Sequence, residues 1–165
     1  MDRLARLGTI VGGFMIFAAA LVVTFELILR NFFGISMGGA DEISSYLFAV
    51  AVAWALPHVM LSDGNVRIEA LVNLVPAHLR GLIFKAGTLV FLVFLGVLAW
   101  RAVEMAWASY ETSAHAVTPL QTPLAIPQGL WALGLCVAVL AGLLQVFRRV
   151  ANKLEKDGHG SAADL

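Results

Sequence analysis

The sequence predicts an all-α integral membrane protein with four transmembrane helices and a short amphipathic interfacial helix between helices 2 and 3. Three observations carry that prediction. Of 165 residues, 60% are hydrophobic and only 13% are charged, with mean hydropathy +0.86. A soluble domain has about a quarter of its residues charged, so this chain cannot cover its surface with polar groups and lipid is its expected solvent. Four apolar segments each approach the roughly 20 residues that cross a bilayer. Lys and Arg gather on one side of those segments, as membrane topology requires.

The segments are expected at about 8–29, 43–62, 82–107 and 124–147. They form one four-helix transmembrane domain over 1–150, followed by a polar cytoplasmic tail over 151–165 that frays beyond a short helical continuation. The first apolar run is too long for a cleaved signal peptide and three more follow, so it reads as a retained anchor. Nine of the eleven basic residues (Arg3, Arg6, Arg67, Arg80, Lys85, Arg148, Arg149, Lys153 and Lys156) fall on one side. Arg30 and Arg101 lie near the opposite ends of spans one and three, and residues 108–123 contain no Lys or Arg. Both termini are therefore expected in the cytoplasm, with loops one and three outside. Trp100, Trp107 and Trp131 suit the outer interfacial belt.

Between spans two and three, Asp63-Gly64 signals a turn. Ile68, Leu71, Val72 and Val75 then follow an i, i+3, i+4, i+7 pattern, with Arg67, Glu69 and Asn73 on the other face. This predicts an amphipathic helix lying in the cytoplasmic interface and ended by Pro76.

Chemistry-bearing residues are few. Glu26 and Arg30 are four apart and Arg101 and Glu104 three apart, so each couple can pair on one helical face. All four sit toward the outer ends of their spans. There they either snorkel to the headgroups or contact another helix or a partner subunit. Asp41 and Glu42 open span two in "GADEISSYL". Two roles stand open for them: stabilising the helix N-terminus, or meeting a partner. Adjacent helical residues diverge by about 100°, which argues against a general acid/base pair. Pro57-His58 lies in the inner third of span two, where the proline kinks the helix and the histidine is read as structural. Cys136, the one cysteine, reads as a small core residue. No phosphate loop, zinc spacing or nucleophile constellation is present, so no catalytic residue, metal site or cofactor is expected. Zero formal net charge argues against nucleic acid.

Three ordered motifs carry a resemblance. "LILRNFFGIS" over Leu27–Ser36 leaves span one, Asp41-Glu42 is followed by Tyr46-Leu47, and "GNVRIEALVNLVPAHLR" covers Gly64–Arg80. Together with the span pattern they resemble the small membrane subunit of TRAP transporters, the DctQ-like family. This sequence has Asn65 where the family often has histidine, Glu69 where it has aspartate, and Ser45 near a position often basic. The resemblance implies a subunit of the bacterial inner membrane whose partners are a large TRAP permease subunit, a periplasmic solute-binding protein and the lipid bilayer. It implies sodium-coupled uptake of an organic acid carried by the large subunit, with this chain in support. The rival reading is the haem- or quinone-associated membrane anchor of a respiratory enzyme. The shortage of histidines at membrane depth speaks against it.

Overall fold

The computed structural model describes residues 2–61 and 77–162, with side chains described over 6–61, at Ile83, and over 86–148. Four helices account for most of it: α1 Asp2–Ile28, α2 Ala40–Leu61, α3 Ala77–Glu111 and α4 Ala125–Ala162. Each contains a stretch long and apolar enough to cross a membrane. These are Arg6–Phe33, Ala40–Leu61, Ala86–Glu111 and Ala125–Arg148. The chain is a multi-pass membrane protein. The expected interfacial helix, with Arg67, Ile68, Leu71, Val72 and Val75, lies outside the described residues.

Two boundaries move from expectation. α1 passes directly into a π-helical segment, Leu29–Phe33, which ends at Gly34 in the left-handed conformation (φ 66°). The tail expected to fray continues α4 as far as Ala162, making a helix of 38 residues. At 1.5 Å per residue that is about 57 Å, well beyond a ~30 Å hydrocarbon core. Pro57 sits inside α2 and is buried, and the helix continues past it to Leu61. Pro127 falls in the first turn of α4, where a missing N–H removes no intrahelical bond.

The helices pack in a row. Among the described residues, close backbone approach joins α1 to α2, α2 to α4 and α4 to α3, and no other helix pair meets extensively. The spatial order is thus α1, α2, α4, α3. Small residues make each seam. A Cβ added at Gly8 would meet the Trp54 carbonyl oxygen at 2.7 Å, and one at Gly12 would meet that of Ala51 at 2.8 Å. This Gly-xxx-Gly pair lets α1 lie almost directly on the α2 backbone. Across the next seam, Gly134 leaves room for Ala53 and Trp54, whose atoms would stand 2.9 Å from a Cβ there. Trp54 Nε1 donates to the Leu130 carbonyl oxygen at 3.0 Å, which fixes the register of α2 on α4. The buried core follows the row: Ala53 from α2, Leu95, Ala99 and Ala102 from α3, and Ala132, Leu135 and Ala138 from α4. It is built mostly of alanine because helices without a strong hydrophobic drive between them gain by close backbone packing. Large apolar side chains such as Phe14, Phe17, Phe25, Phe94 and Val97 point outward instead.

Candidate functional site: the end carrying loops one and three

Loop one (34–39) and loop three (112–124) meet at the end of the row where α1 and α3 finish and α2 and α4 begin. Each is fastened by a glutamate. Glu26, near the end of α1, accepts from Ser36 Oγ at 2.6 Å with one carboxylate oxygen and from the Met37 amide at 2.9 Å with the other. The glutamate thereby draws loop one back toward α1. Arg30 makes no ion pair with Glu26 within 4 Å among the described residues. Arg30 stands in the π-helical segment that follows α1, while the Glu26 carboxylate is turned to loop one. "LILRNFFGIS" therefore encodes a bulge and a left-handed stop, which turn the chain out of span one.

Loop three folds over loop one. Gly39 has no side chain where Leu120 lies against it, and Pro119 approaches Gly38, whose φ is 70°. Within loop three, Ala116 N donates to Thr122 O and Leu124 N to Ala114 O, each at 3.0 Å. His115 and Pro123 form an isolated antiparallel bridge. His115 Nδ1 lies 2.7 Å from the Ser113 carbonyl oxygen. These bonds give a thirteen-residue loop without Asp, Glu, Lys or Arg its own internal order.

Asp41 and Glu42, adjacent in sequence, are separated by the structure. Both stand in the first turn of α2, where acids oppose the positive end of the helix dipole. The N-cap position itself is Gly39, whose carbonyl accepts from the Ile43 amide at 3.0 Å. The Asp41 side chain is exposed, and its main-chain carbonyl accepts from the hydroxyls of Ser44 and Ser45. Glu42 is 9% exposed and points beneath loop three. Its Oε2 accepts from the Thr118 hydroxyl. The hydroxyls of Thr122 and Tyr46 stand beside the same carboxylate. Oε1 is buried without a close hydrogen-bond partner. Glu42 is thus the peg on which loop three hangs, seventy-six residues away in sequence.

Arg101 and Glu104 do pair, at 2.7 Å, on the open face of α3. Their side chains are 75% and 50% exposed. Ten residues separate Arg101 from the end of α3 at Glu111, about 15 Å along the axis. The pair therefore stands well inside the membrane-competent stretch Ala86–Glu111. The six charged candidates make three separate arrangements rather than one pocket: Glu26 and the acids of α2 lie at the loops, and the Arg101–Glu104 pair stands deeper along α3. Among the described residues no three His, Cys, Asp or Glu side chains converge as metal ligands would.

A family model described as tripartite ATP-independent periplasmic transporters, DctQ component, matches residues 19–152. The chain belongs to that family. The matched segment includes Glu26, both acids, loop three and the Arg101–Glu104 pair. A search of curated proteins finds no match. This DctQ chain is a TRAP transporter small membrane subunit, which is a transporter component and not of itself an enzyme class. Sequence reasoning missed Ser36, Thr118 and Thr122. A signal was present: a loop without Lys or Arg carries two threonines four apart around Pro119, next to an acid that needs donors.

Proposed function

We propose that this small subunit packs its α3 face against the large TRAP permease subunit. In that position it supports sodium-coupled uptake of an organic acid delivered by a periplasmic binding protein. The observation that carries the reading is the Arg101–Glu104 pair on the exposed side of α3. Charged groups at membrane depth are costly toward lipid and are found facing protein or water. A marginal helix that presents an ion pair together with exposed Trp100 offers a polar anchor in an apolar field, which suits a protein partner. Family membership supports the tripartite setting, the inner bacterial membrane and the sodium and organic-acid chemistry. The nine-to-two division of basic residues supports cytoplasmic termini. On that topology, exposed Asp41 and the projecting Val117 of loop three face the periplasm, where the binding protein docks.

The test is co-purification with the large subunit. Arg101→Ala/Glu104→Ala is expected to lower recovery of the complex at least several-fold while the subunit itself stays in the membrane and helical. Full recovery with normal uptake would remove α3 as the docking face.

A further inference from the structure

We propose that the cleft between α3 and α4 is a binding site for one acyl chain of a zwitterionic, amine-bearing phospholipid from the leaflet facing loop three. The cleft has a volume of about 360 Å³, within the range of small-molecule sites. Its floor is made of small residues, Ala106, Gly129 and Ala132, and Leu133 stands on its wall. Trp107 and Tyr110 flank its upper part. They are one turn apart, with ring centroids 6.2 Å from each other, and both rings belong to the type that rests at the headgroup level.

Shape distinguishes the occupant. The cleft runs for about two turns of α3, 103–110, and about three of α4, 125–136. Deeper in the membrane the same two helices close on each other through Leu95, Ala99, Leu135 and Ala138, all buried. A slot open toward the headgroups and sealed at its inner end admits a chain from above. A transmembrane helix needs a groove that continues across the bilayer, and this one stops where α3 and α4 close on each other. Charge selects the headgroup. Trp107, which lines the cleft, donates from Nε1 to Glu111 Oε1 at 2.8 Å, so a carboxylate stands beside the loop-three end of the cleft. Residues 108–123 supply no Lys or Arg, and Arg101 is already paired with Glu104. A negatively charged mouth attracts an ammonium and repels an anionic headgroup.

The full chain is reconstituted in vesicles of equal phosphatidylethanolamine and phosphatidylglycerol, extracted mildly and weighed by native mass spectrometry. The wild type is expected to retain one phosphatidylethanolamine per chain. Gly129→Leu fills the slot; a Cβ at Gly129 meets nothing within 4 Å, so the new side chain has room to enter. It is expected to cut retention at least tenfold with unchanged helix content. Glu111→Gln is expected to keep retention and abolish the headgroup preference. Three results would each overturn the proposal: no lipid on the wild type, equal retention by Gly129→Leu, or preference for phosphatidylglycerol. A fourth is loss of a protein partner on Gly129→Leu with lipid unchanged, which would assign the cleft to a helix. Should Gly129→Leu fail to fold, Ala106→Leu fills the same floor, and the wild-type headgroup measurement stands by itself.

Discussion

Glu42 and Asp41 show how much one peptide unit changes on a helix. Glu42 is turned under loop three and Asp41 is turned out. Glu42→Gln keeps the shape but replaces a charged acceptor with a weaker neutral one beside Thr118. Amide exchange at Ala116 and Leu124, whose bonds order loop three, is expected to rise several-fold. Asp41→Asn, on the exposed side, is expected to leave both amides as protected as in the wild type. Equal protection in Glu42→Gln would show that the peg does not hold the loop. The presence of two acids at the head of span two was legible in the sequence. Their division of labour was not, because the donor to Glu42 comes from a loop that no local pattern links to it.

At the scale of elements, four spans were readable because lipid imposes length and composition on each one separately. Their order in space was not. A transmembrane helix is apolar all round, so hydrophobicity does not mark the side that meets a neighbour. Glycine spacing does mark it. Gly12→Ala places a methyl against the Ala51 carbonyl at 2.8 Å, whereas the same change at neighbouring Gly13 meets nothing within 4 Å. Overpacking a close seam costs about 1–3 kcal/mol. Gly12→Ala is therefore expected to lower thermal stability measurably, and Gly13→Ala to leave it unchanged or slightly raised. Similar losses at both positions would mean that α1 does not sit on α2 through this face. Trp54→Phe removes the bond to Leu130 and is expected to cost about 0.5–1.5 kcal/mol.

For the whole molecule, the positive residues predict a strict orientation. Reporter fusions after Lys156 and within 112–118 are expected to give opposite signals, and matching signals would contradict the topology. α4 runs on through the basic stretch that includes Lys153 and Lys156, so the fusion after Lys156 reports on the end of that helix. Liposomes containing only this subunit are expected to accumulate no organic acid in a sodium gradient. Uptake is expected once the large subunit and a binding protein are added. Sodium-driven uptake by the subunit alone would contradict the supporting role.

The single-file order of the helices bears on that last expectation. A conduit for a solute must be walled on every side, and among the described residues the four helices stand in a line and enclose nothing. The line has two broad flanks and two narrow edges, like a plank set upright in the bilayer. Such a plank can stiffen, widen or tether whatever it is fastened to. A passage becomes possible only where another protein supplies the remaining walls.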